Sequence, residues 1–242
     1  LSSSRSREYI LSPAFRELLL SKVVNGWKQI SVNLGDGVGR IDLPRDLPVH
    51  RVKVEINFFD WVDIRNLSHV ESVGRGATCT GTYIPHIPAV KELKLAGCPS
   101  LTDVSNLSHL SKLEMGGTPS LTDISPLQNI PHLSFDGGDN IEDFSVFNAS
   151  RQKFLKIYCS SLLRDVTSFS GIRYLILQSC PELENVSPLK GIYDLSLLSC
   201  AKVMDISGLG NHHRLVIKDC SYGLTGYDSL VNIPHVRLRA CS

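Results

Sequence analysis

The sequence predicts an α/β solenoid: an arc of about ten coils with a parallel β-sheet on the concave side, a 3₁₀ or irregular convex side, and an N-terminal capping helix. Three observations carry this expectation. A pair of apolar residues separated by one position recurs about every 20 residues, and a run of apolar residues spaced by three follows each clear pair but the last. The first 29 residues obey neither rule. Hydrophobic residues make up 42% of the 242 and charged ones 20%, so the chain has the apolar content to bury a core.

Residues 1–29 form the expected cap. Ser12-Pro13 reads as an N-cap followed by the first helical residue, and Phe15, Leu18, Leu19 and Val23 share one helical face. Asn25-Gly26 supplies the stop. A solenoid needs its open end covered, and a short amphipathic helix does this.

Residues 30–242 form the expected coils. Val32/Leu34, Val54/Ile56 and Val73 mark degenerate copies. Clear pairs follow at Leu93/Leu95, Leu113/Met115, Leu133/Phe135, Leu155/Ile157, Leu175/Leu177, Leu195/Leu197, Leu215/Ile217 and Val236/Leu238. Successive pairs are 20 residues apart, except for steps of 22 into Leu155 and 21 into Val236. Alternation within each pair predicts a short strand. After Leu93/Leu95 come Cys98, Leu101, Val104, Leu107 and Leu110, a spacing that suits 3₁₀ geometry better than the 3.6 period of an α-helix.

The stretch Val90-Lys91-Glu92-Leu93-Lys94-Leu95-Ala96-Gly97-Cys98-Pro99-Ser100-Leu101 resembles the leucine-rich repeat, L-x-x-L-x-L-x-x-N/C-x-L. The apolar residue follows Cys98 by three positions where the family pattern has two. Leu121-Thr122-Asp123-Ile124-Ser125-Pro126-Leu127 is similar to the short repeats of bacterial internalins, and the Cys-x-x-Leu variant to the cysteine-containing repeats of F-box proteins. The resemblance implies a repeat scaffold that binds a protein partner. It also admits a substrate-recognition module of a ubiquitin-ligase-type adaptor, or a structural subunit of a larger assembly.

Two polar columns run through the coils. Cys98, Cys180, Cys200, Cys220 and Cys241 fall five residues after the first strand residue of their coils, and Cys79 and Cys159 fall one residue off that column. Buried structural thiols are expected, because side chains pointing the same way from strands about 4.8 Å apart are poorly placed for a disulfide. Seven cysteines, an odd number, fit a reducing compartment. Asp103, Asp123, Asp143, Asp165, Asn185 and Asp205, each followed two residues on by Ser or Thr, are expected to cap turns. The N-x-S sequons at Asn66, Asn106, Asn148 and Asn185 read as by-products of these turns.

No phosphate-binding, zinc-ligand or serine-hydrolase motif accompanies the eight histidines, and His212-His213 near Cys220 lacks metal-ligand spacing. The expectation is a non-enzyme without cofactor or metal. A formal net charge of +1 argues against nucleic-acid binding, and no apolar run spans a membrane. The opening residues show no apolar leader, which favours an intracellular, cytoplasmic setting.

With the paired leucines facing inward, the residues around them face outward. Phe154, Tyr158, Tyr174, Ile176, Leu198 and Val216 then gather on adjacent strands beside Arg214, Lys218, Arg237 and Arg239. Aromatic and aliphatic side chains next to arginine are the composition of an interface centre, so these ten residues are the candidate partner-binding set. The sequence breaks off just after the Val236/Leu238 strand, and further sequence or another subunit is expected to cover that edge.

Overall fold

The computed structural model describes residues 29–33, 39–40, 52–57, 62–63, 70–77, 82–84, 86, 90–138, 140–147 and 152–239. The expected cap helix lies outside these residues, as do Cys79, Cys241 and the sequons at Asn66 and Asn148. The chain forms two compact units, residues 1–118 and 119–242.

The first unit contains β1 (Gln29–Asn33), β2 (Gly39–Arg40), β3 (Val52–Asn57), β4 (Val62–Asp63), β5 (Val70–Ala77), β6 (Glu92–Ala96) and β7 (Lys112–Gly116). Strands β1, β3, β5, β6 and β7 pair in that order, all parallel, and β2 pairs with β4. The register slips beside β5 on both sides, where the sequence period is degenerate. From β6 to β7 it is regular, with Leu93 opposite Leu113 and Leu95 opposite Met115.

The second unit contains β8 (His132–Asp136), β9 (Phe154–Tyr158), β10 (Tyr174–Gln178), β11 (Asp194–Leu198), β12 (Arg214–Lys218) and β13 (His235–Arg239). These pair in sequence order, all parallel and without a register slip. Parallel neighbours follow from the connection, since each return brings the chain back to start the next strand in the same direction.

Each strand is short because its exit is fixed. The residue after the strand takes a left-handed backbone at Gly97, Gly117, Gly137, Cys159, Ser179, Ser199 and Asp219. The N–H of Gly97, Gly137, Cys159, Ser179, Ser199 and Asp219 donates to the last carbonyl of the next strand, as in Cys159 to Gln178 at 2.9 Å and Ser199 to Lys218 at 2.8 Å. At Gly117 the glycine is needed for space as well, because a Cβ would sit 3.0 Å from the Gly97 backbone.

The paired apolar residues of β8–β12 are all buried, from Leu133 and Phe135 to Leu215 and Ile217. The three-residue spacing forms the return, with short 3₁₀ turns at Ser105–Leu107, Ser125–Leu127, Thr167–Phe169, Ser187–Leu189 and Tyr227–Leu230. Each turn buries its Leu or Phe. Asp103, Asp123, Asp143, Asp165, Asn185 and Asp205 each accept from the backbone N–H two residues on, at 2.7 to 3.0 Å. These bonds, together with the hydroxyl of the same serine, which contributes most at Asp143, hold the carboxyls of Asp103, Asp123, Asp143 and Asp205 below the usual range.

Around the 22-residue coil, Phe135, Phe144, Phe147 and Phe169 pack ring against ring with centroids 6.1 to 6.3 Å apart.

Candidate functional site

Parallel pairing in register stacks the outward residues in rows. Phe154, Tyr174, Asp194, Arg214 and His235 form one row, and Lys156, Ile176, Ser196, Val216 and Arg237 the next. Tyr158, Gln178, Leu198, Lys218 and Arg239 form the third. The expected set thus shares one side of the β9–β13 sheet. Tyr174, Arg214, Arg237 and Arg239 are exposed, while Phe154, Tyr158, Ile176, Leu198, Val216 and Lys218 are half-buried among their neighbours.

A fourth row joins them at the residue before each strand. Tyr193 stacks on His213, with centroids 4.6 Å apart and planes 12° off parallel, and meets Tyr174 edge-on at 5.9 Å. His213 meets His235 at 5.1 Å, and the Arg173 guanidinium lies 4.8 Å from the Tyr193 ring and 5.6 Å from that of Tyr174. Phe154 stacks on His132 at 6.3 Å. Arg173, Tyr193 and His213 were missed because a strict alternation counts only positions inside the strand. The available signal was their own recurrence, two residues before Leu175, Leu195 and Leu215. Tyr174 is 36% exposed and Tyr193 39%, so the row is an aromatic shelf open to solvent.

The first unit presents different chemistry at equivalent positions. Lys94 and Lys112 both bind Glu114, at 2.7 and 2.9 Å, and these bonds hold its carboxyl down at about 2. Its β6–β7 face neutralises itself and carries no apolar cluster.

Other constellations separate on folding. His212 points into the core while His213 faces out. The His212 Nδ1–H donates to the Ile192 carbonyl at 2.6 Å, leaving Nε2 buried without a partner. Burial pushes this imidazole below its ordinary range, against a smaller upward pull from the Ile192 bond.

Cys98, Cys180, Cys200 and Cys220 are buried free thiols, as the column predicts. Cys200 Sγ lies 3.5 Å from the Leu198 carbonyl, and Cys220 Sγ 3.5 Å from that of Lys218. Contact along the thiol row, reinforced by burial, pushes Cys200 up to about 11 and Cys220 upward too. Cys159 differs: it occupies the left-handed exit and is exposed, and Ser160 takes the buried place.

The Asn106 side-chain amide donates to the Ile84 carbonyl at 3.0 Å, a structural use of that sequon. Among the described residues, no three His, Cys, Asp or Glu side chains gather to hold a metal ion. No helix among them is long and apolar enough to cross a membrane.

No protein-family model matches the chain, and no curated protein sequence matches it. The sheet and its rows therefore carry the functional argument.

Proposed function

We propose that the chain is a non-enzymatic protein-interaction scaffold of the leucine-rich-repeat kind, binding a partner on the outward, concave side of its sheet. One observation carries this reading: apolar and aromatic side chains of β9–β12 lie in register on a solvent-facing surface, bordered by arginines. The parallel strands and three-residue returns support the repeat assignment, and the row of unbridged thiols supports a reducing, intracellular setting.

A pull-down with mass spectrometry identifies the partner, and titration of variants then locates it. Tyr174→Ala and Phe154→Ala are each expected to weaken binding by about 1–3 kcal/mol. Tyr174→Ala loses its edge contact with Tyr193 and its contact with Arg173 and should cost about 1 kcal/mol of stability, and half-buried Phe154 will cost some as well. If both substitutions lower the melting temperature and leave affinity intact, the sheet is not the binding surface.

A further inference from the structure

The outward positions of β8–β13 carry a charge that the whole chain lacks. Lys156, Arg214, Lys218, Arg237 and Arg239 face out against Asp136 and Asp194, five cations to two carboxylates, in a chain of formal net charge +1. Carboxylates sit instead on the return side, in the capping column and at Glu182, which is bound to Arg164 and Lys202. Within the outward face the charge is graded. Phe154, Tyr158, Tyr174 and Ile176 occupy β9 and β10, and the cations concentrate on β12 and β13. The pairs Arg214–Asp194 at 3.4 Å and Lys218–Asp219 at 3.2 Å are partly open to solvent, with Asp194 the most covered of the four side chains at 23% exposure. Such pairs are weak and screened, so carboxylates of a docking partner can displace them.

We infer that the partner is an acidic protein segment in extended form, seating apolar side chains on β9–β11 and laying carboxylates against β12–β13. This rests on the sheet-face reading above and adds the chemistry of what binds. Strands lie about 4.8 Å apart, so the step of two or three strands from Tyr174 and Ile176 to Arg214 and Arg237 covers about 10–14 Å. An extended chain advances about 3.3 Å per residue, which places the carboxylates about three or four residues from the apolar anchors. Single-stranded nucleic acid fits the same face less well. Ring centroids 4.6 to 5.9 Å apart leave no slot for a base, and His213 and Arg173 already cover the Tyr193 ring. Ile176, Leu198 and Val216 offer aliphatic contact rather than stacking.

The test pans a displayed library of random peptides, about twelve residues long, against the full chain. Enriched peptides should carry Asp or Glu about three or four positions from an aromatic or aliphatic residue. The best, made with a fluorescent label, should bind about tenfold more weakly in about 500 mM than in about 50 mM NaCl. Arg214→Glu with Arg237→Glu should weaken it at least about tenfold without changing the thermal melt. Lys190→Glu, on the return side, should change nothing. Peptides without acidic bias, indifferent to salt and charge reversal but weakened by Tyr174→Ala, would overturn the acidic partner and leave the sheet-face reading standing. Peptides indifferent to every one of these variants would overturn both. Failure to enrich any peptide over the charge-reversed chain refutes the inference. So would oligouridine binding tighter than any peptide and lost on the same reversal, which would make the ligand a nucleic acid.

Discussion

Replacing Tyr193 tests whether the aromatic shelf is assembled before anything binds it. Its ring makes one parallel stack with His213, one edge contact with Tyr174 and one cation–π contact with Arg173. An aromatic pair contributes about 0.5–1.5 kcal/mol beyond its buried area, and an exposed cation–π contact about 0.5–1 kcal/mol. Because Tyr193 is 39% exposed, the lower ends apply, and Tyr193→Ala should cost about 1.5–2 kcal/mol of folding stability. The sharper quantity is the coupling between Tyr193 and His213. Urea unfolding of the wild type, Tyr193→Ala, His213→Ala and the double variant gives it directly, with slopes checked for constancy. The coupling should be about 0.5–1 kcal/mol. A parallel cycle pairing Tyr193 with Tyr222, 80% exposed and on the return after β12, should be additive. A Tyr193–His213 coupling below about 0.3 kcal/mol, within the ordinary error of additivity, would mean that the rings move independently and no shelf exists in solution.

Maleimide labelling read by peptide mapping should modify Cys159 in the native protein and reach Cys180, Cys200 and Cys220 only on unfolding; rapid native labelling of Cys200 would contradict its inward position. His212 should make stability pH-dependent. Its folded pKa is lowered, so the unfolded chain binds more protons, and stability present above the ordinary value of 6.5 is lost as pH falls below it. His212→Ile, which matches Ile172 and Ile192 in the same column, should flatten that slope and add about 1 kcal/mol at neutral pH; an unchanged slope in urea titrations would exonerate the imidazole. Leu195→Ala, at a side chain with no exposure, should cost about 2–5 kcal/mol, while Leu238→Ala, already 40% exposed, should cost about 1 kcal/mol or less. Equal losses by denaturant titration would show that burial does not set the scale in this fold.

The strands of β6–β13 were legible because one geometric rule repeats at a fixed interval, so Leu93, Leu113 and Leu133 each report the same position. The capping column was legible for the same reason: Asp103 and Asp123 repeat a turn that needs an acceptor at one place. Cys159 was harder, because the 22-residue coil shifts its residues against the column, and only the backbone shows the thiol at the turn and Ser160 inside. The shelf was only half legible. Tyr174 lies within a strand and alternates with Leu175, whereas Tyr193 and His213 precede their strands, where sequence alternation says nothing about orientation. The phenylalanine cluster depends on Phe135, Phe144, Phe147 and Phe169 converging across coils, a convergence that side-chain shape decides.

The longer coil also says how such a chain can change in length. Between Leu133 and Leu155 the chain carries two residues more than its neighbours, yet His132 still sits opposite Phe154 and Leu133 opposite Leu155. The surplus is absorbed entirely on the return, and the sheet does not register it. Insertions there leave every row of outward side chains aligned, while an insertion inside a strand would turn those rows over to the core. Mutation can therefore lengthen or decorate the back of each coil with little effect on the front. Whole coils can also be gained or lost without breaking the pattern that the next strand reads. The back of the molecule is where epitopes, tags or new loops could be grafted, and the front is where sequence drift should be slowest.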